Sequence, residues 1–144
     1  MKPSLSAGLT HVLDYRVPDD KTVPHVFPES DLFRAMPRVF ATAYMVGLIE
    51  WTCVEALRSH LDDGEQSVGT HIDVSHTAAT PPGLTVRVEV RVESVEGRRI
   101  RFRVEARDDI EPIGAGTHER FVIDRGRFDA KVAAKAGPSG SRPA

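Results

Sequence analysis

The sequence predicts an α+β domain in which a curved antiparallel sheet of about five strands wraps one long central helix. Three observations lead there: one long apolar segment of helical period in the first half, a change to period two in the second half, and a length suited to a single core. The chain has 144 residues, 40% hydrophobic and 28% charged, the proportions of one globular domain. A chain of this size withdraws roughly 68–70% of its unfolded surface from water, enough for a core without a metal or a cross-link. The expected organisation is a flexible start over residues 1–8, one domain over 9–134 and a disordered tail over 135–144.

Taken in order, Leu9 to Val17 reads as a strand, and Pro18, Pro24, Pro28 and Pro37 confine the next stretch to irregular chain with one short helical turn. Arg38 to about Leu61 carries the only long helical pattern, stopped by Asp62, Asp63 and Gly64. Between Phe40 and Trp51 it holds one charge, so most of its circumference is apolar and other structure is expected to wrap it. Gly47 costs about 1 kcal/mol against Ala in a helix and implies a close neighbour there.

From Ser67 to Thr77 the period is two, with Val68, Thr70, Ile72 and Val74 on one face. Val86, Val88, Val90 and Val92 alternate with Arg87, Glu89, Arg91 and Glu93. After Glu96 and Gly97, Ile100, Phe102 and Val104 alternate with Arg99, Arg101 and Arg103. This is a hairpin with one wet face, on which opposite charges are expected to pair across strands. A turn at Asp108 and Asp109 leads to a strand from about Ile113 to Ile123, and Arg127 to Ala133 adds a short last element.

Charge and cysteine content narrow the function. With 19 basic and 21 acidic side chains the net charge is -2, which offers no broad attraction to nucleic acid or an anionic membrane. Arg101 and its neighbours therefore read as a solvated ladder. The single cysteine, Cys53, rules out an intrachain disulfide and a Cys-rich metal site. The start lacks a signal-type apolar run and no stretch of about 18 apolar residues is present, so a cytoplasmic protein is expected. Open sheet edges favour pairing with a second copy, hence an expected homodimer.

Two polar residues fall in apolar registers. Glu50 lies on the helical line of Val39, Ala43, Val46, Cys53 and Leu57, where a carboxylate needs hydrogen bonds or a proton. Thr42 is two turns earlier and about 80° away around the axis. His76 continues the strand face of Val68, Thr70, Ile72 and Val74. A carboxylate and an imidazole facing one half-dry cleft can activate water, or attack a carbonyl and pass protons. Each alone also fits a hydrogen-bonded core position. His118 and Arg120 lie on a strand whose inward face Gly114 and Gly116 leave open. His11, His25, His60 and His71 lack metal-ligand spacing, and neither Ser75 nor the Gly114/Gly116 pair sits in a nucleophile elbow or a phosphate loop.

The runs MVGLIEW around Glu50, SHTAATPPGLTV around His76, SVEGRR at the hairpin turn and GTHER on the late strand resemble the fluoroacetyl-CoA thioesterase family of the hot-dog superfamily, from about Thr10 to Lys131. The resemblance implies a hot-dog fold, a homodimer and hydrolysis of a small acyl-CoA thioester with no metal or other cofactor. It places the family's catalytic Thr, Glu and His on Thr42, Glu50 and His76. Gly69 falls where the family's backbone contacts the acyl group, and Arg120 matches an Arg near that pocket. The Pro-bounded segment resembles the family's lid, in which Phe33 is aromatic and position 36, Met here, departs from the expected aromatic residue. The residues leave open whether Glu50 attacks the carbonyl or activates water. Two other classes compete: a hydratase or dehydratase of the same fold, and a non-catalytic acyl-CoA binder.

Overall fold

The hairpin of valines and charges forms as its alternation predicts, and strand pairing places it inside the sheet rather than at an edge. A computed structural model describes residues 1–140, with side chains to residue 137. The elements are β1 (Thr10–Arg16), α1 (Asp31–Arg34), α2 (Thr42–Leu57), β2 (Glu65–Val74), β3 (Thr85–Glu96), β4 (Arg99–Arg107), β5 (Pro112–Asp124) and α3 (Arg125–Gly140). All five strands join one antiparallel sheet in the order β1-β3-β4-β5-β2, so β1 and β2 are its edges. The loop Gly97–Arg98 closes the central hairpin, with Gly97 at φ 61°, a conformation that suits the strand twist and that a side chain would strain.

The inward residues of the hairpin, Val86, Val88, Val90, Val92, Ile100, Phe102 and Val104, are all buried, as are Met45, Leu48, Ile49, Cys53, Ala56 and Leu57 of α2. Burying each of the larger side chains contributes about 1.5–3 kcal/mol, so this layer dominates the core. Its outer face departs from the expected charge ladder. Both strands repeat Arg and Glu in phase, so Arg87 faces Arg107, Glu89 faces Glu105 and Arg91 faces Arg103. Opposite charges pair instead mainly with the flanking strands: Arg87 and its direct partner Asp14 of β1 bond at 2.8 Å, Arg101 reaches its direct partner Glu119 of β5 at 3.5 Å, and within the hairpin Arg101 bonds Glu93 off the direct register at 3.0 Å.

Tertiary pairing moves the start of the helix. Residues 38–41, expected to be helical, are a bend followed by extended chain: Phe40 bridges Thr22 and donates its N–H to the Thr80 carbonyl at 2.7 Å, and Ala41 donates to Lys21. Helical geometry begins at Thr42 and continues through a 3₁₀ turn to His60. The Pro-bounded stretch holds three short pieces rather than one, two 3₁₀ turns (Asp19–Lys21 and Val23–His25) and α1, which Ser30 caps by accepting from Phe33 N–H. The start of the chain touches the rest of the fold. Leu5 is buried in the core, Lys2 N–H bonds the His60 carbonyl and Gly8 N–H bonds the Val92 carbonyl. The last element, expected over Arg127 to Ala133, is the longer α3, interrupted at Gly137, and residues 141–144 of the expected tail lie outside the described residues.

One face of α2 is uncovered in the single chain. Thr42, Ala43, Gly47, Trp51 and Val54 are exposed along it, with Val46 and Glu50 half-buried between them. The wrapping expected from its apolar circumference is therefore supplied on one side only. Among the described residues no helix is long and apolar enough to cross a membrane.

Candidate active site

Strand alternation on β5 aims His118, Arg120 and Val122 at α2, and all three are buried. Their cross-strand partners on β2 are Ile72, Gly69 and Ser67, and a register shift between Gly69 and His71 breaks the alternation of that strand. The expected face of Val68, Thr70, Ile72 and Val74 is thus replaced by Ser67, Gly69, Ile72 and Val74, while Val68 turns outward opposite Phe121. This bulge is what brings Gly69 under the helix.

Two clusters result. In the first, the Thr42 hydroxyl on the opening turn of α2 lies 2.7 Å from His76 Nδ1. His76 sits two residues beyond the end of β2, not within the strand as expected, but Ser75 and Thr77 still donate to the Ala115 and Ile113 carbonyls and hold the backbone along β5. Its Nε2 is enclosed and has no hydrogen-bond partner among the described residues. Burial lowers the pKa of His76 below its usual value, against a smaller opposing effect of the Ala78 backbone, so the ring is neutral near pH 7.

The second cluster surrounds Glu50. Arg120 Nη1 donates to Glu50 Oε2 at 2.8 Å. The guanidinium is otherwise tied to Ser67, through Nε to Oγ at 2.8 Å and Nη2 to the carbonyl at 3.0 Å. Arg120 is 6% exposed and Glu50 is 41% exposed, so a buried cation presents a half-open carboxylate. This corrects the expected position of Glu50 on a core-facing line: the core face of α2 is Met45, Leu48, Ile49, Thr52 and Cys53, and Glu50 lies at its margin. A Cβ built on Gly69 would lie 2.7 Å from Glu50 Oε2, so only glycine leaves that approach clear. A groove of about 560 Å³, lined by Trp51, Val54 and Ser67 among others, adjoins this cluster.

The structure brings Thr42 to His76, and brings Glu50 to Arg120 and Gly69, but it does not join the two groups within one chain. Thr42 and Glu50 are eight residues apart on one helix, about 12 Å along its axis at about 1.5 Å per residue. Among the described residues no hydrogen bond links Glu50 to His76. In the lid segment Phe33 packs edge-on against Phe27 with ring centroids 5.3 Å apart, and Met36 is exposed. Ser67 and His118 are the members that sequence reasoning does not place. The alternation of His118, Arg120 and Val122 is the available signal, obscured by Gly114 and Gly116, where backbone of the Asp73–Ser75 stretch comes too close for any side chain. No group of three or more His, Cys, Asp or Glu converges to hold a metal among the described residues.

Known proteins are similar to this chain in both sequence and fold. The model of a family described as fluoroacetyl-CoA-specific thioesterase matches residues 20–126. A fluoroacetyl-CoA thioesterase from Streptantibioticus cattleyicolor is 53% identical over 140 residues, spanning 97% of this chain and 100% of that protein. A solved structure of a fluoroacetyl-CoA thioesterase variant in complex with fluoroacetate superposes with a TM-score of 0.90 at 52% identity, covering 92% of this chain and 100% of that one. A thioesterase superfamily member from Thermus thermophilus superposes with a TM-score of 0.86 at 28% identity, over 99% of this chain and 100% of that one.

Proposed function

The chain belongs to the fluoroacetyl-CoA-specific thioesterase family, and from that premise we propose that it hydrolyses fluoroacetyl-CoA, a short-chain acyl-CoA thioester, to the free acid and CoA. It is an acyl-CoA thioesterase with the hot-dog fold. The observation that carries the catalytic assignment is the half-exposed Glu50 carboxylate, whose Oε2 accepts from buried Arg120 and lies against the bare backbone of Gly69. The other oxygen, which has no hydrogen bond among the described residues, can attack a thioester carbonyl or take a proton from an attacking water. Either route breaks the C–S bond and expels the CoA thiolate, a good leaving group that needs little acid assistance. Neutral His76, hydrogen-bonded to Thr42, is suited to proton transfer during hydrolysis. These steps draw on no resident metal or cofactor.

The working unit in this reading is a homodimer. Thr42 and Glu50 lie on the uncovered apolar face of α2, equally spaced about Val46. Two helices packed antiparallel about a twofold axis at Val46 would set the Thr42–His76 cluster of one protomer against Glu50 of the partner subunit. Gly47, where a Cβ would have nothing within 4 Å, allows that approach. The lone buried thiol of Cys53 suits a reducing, cytoplasmic setting. Thiol release measured across acetyl-, fluoroacetyl- and propionyl-CoA tests the function. Glu50→Gln preserves size and removes charge, and it should lower turnover about 10²–10⁴-fold. Undiminished thiol release by this variant removes Glu50 from the reaction.

A further inference from the structure

His118 is a buried titratable residue beside Glu50 with no part in the steps above. It is 2% exposed, and both ring nitrogens are engaged. Nδ1 lies 2.7 Å from the His71 carbonyl oxygen and Nε2 lies 3.2 Å from Arg120 Nη1. A carbonyl only accepts and a guanidinium only donates, so a single species satisfies both contacts: a neutral imidazole with its proton on Nδ1 and a lone pair on Nε2. Burial lowers the pKa of His118, and the Arg120 charge adds to this against the opposing His71 carbonyl and Glu50, which keeps that species in place near pH 7. The Arg120 nitrogen that the lone pair receives is the one that donates to Glu50, while Ser67 holds the other two guanidinium nitrogens. An apolar side chain of equal size would fill the space but leave the His71 carbonyl and an Arg120 N–H without partners.

We propose that His118 is a positioning residue, whose Nε2 lone pair orients Arg120 Nη1 and through it the reactive carboxylate of Glu50. This rests on the thioesterase reading of Glu50 and adds what sets its direction. The two nitrogens can be separated by substitution. His118→Asn keeps a donor near the Nδ1 position, toward His71, and loses the acceptor facing Arg120. His118→Gln reaches the Nε2 position and restores that acceptor. With fluoroacetyl-CoA as substrate, His118→Asn should lower kcat about 10- to 100-fold with KM little changed, and His118→Gln should recover most of it. Melting temperatures of both variants report stability separately. A structural role alone would make kcat follow the melting temperature, and equal kcat in the two variants, or kcat that tracks stability, overturns the proposal. Crystal structures of the variants give a readout independent of turnover: the Arg120–Glu50 contact should be displaced in His118→Asn and kept in His118→Gln. An intact contact in His118→Asn also overturns the proposal. Failure of the unmodified protein to release thiol would count against the thioesterase reading instead and leave this structural outcome to be judged by itself.

Discussion

Among single residues, the site depends on one missing side chain and one buried cation. Breaking the Arg120 pair would leave a charge enclosed without compensation, at a cost of about 3–5 kcal/mol for a fully buried pair and less here because Glu50 is 41% exposed. Gly69 shows the steric side. Its nearest neighbour is the far end of a flexible side chain, so Gly69→Ala should displace the Glu50 carboxylate rather than break the sheet. The expected outcome is a fall in kcat of tenfold or more, about 1.4 kcal/mol in barrier, with a destabilisation of at most about 1 kcal/mol in urea unfolding. Unchanged kcat would show that the carboxylate needs no clearance at this position.

Among the elements, α2 does two jobs with two faces. Met45, Leu48, Ile49, Cys53 and Leu57 anchor it in the sheet, while Ala43, Val46, Gly47, Trp51 and Val54 leave an apolar surface without a cover in the single chain. A helix apolar on all sides is stable in water only when something else occupies the second face. Val54→Glu places a charge there without touching the core. Sedimentation should show the proposed dimer for the unmodified chain and a shift toward monomer for this variant at micromolar concentration; a monomeric unmodified chain would overturn the dimer, and an unshifted variant would remove this face of α2 from the interface. The edge strand β2 supports the same reading, because its outer edge carries no partner strand within the described chain.

Across the molecule, buried histidines link stability to pH. Burial, the largest cause in each case, lowers the pKa of both His76 and His118 below the ordinary 6.5. The unfolded chain therefore binds protons that the native state refuses. The resulting stability is fully present above pH 6.5 and is lost as pH falls through the depressed native values. Asp108 acts lower on the scale: burial pushes its carboxyl upward, but hydrogen bonds from Ile110, Thr80 and Glu111 outweigh this and hold it below 3.8. Its contribution is present above the ordinary carboxylate range and disappears only in stronger acid. Urea midpoints measured from about pH 8 downward should begin to fall just below pH 6.5, well before carboxylates titrate, and His118→Gln should flatten part of that early decline. A flat midpoint down to pH 5 would show that neither ring is held neutral by the fold.

Local pattern was enough for the α+β class, the hairpin of β3 and β4 and the span of β5, because alternation and helical period are written into neighbouring residues. The runs around Glu50 and His76 likewise carried the family. Where α2 begins is a matter of long-range contact, since Phe40 is held out of the helix by Thr22 and Thr80, residues far from it in the chain. Packing also determines that Ser67 and Gly69, not Val68, face the helix, because a bulge is a property of two paired strands. The division of Thr42–His76 from Glu50–Arg120 is equally invisible in one dimension: helical phase puts Thr42 and Glu50 on one face, but their separation along the axis, and the partners each meets, depend on how sheet and helix pack.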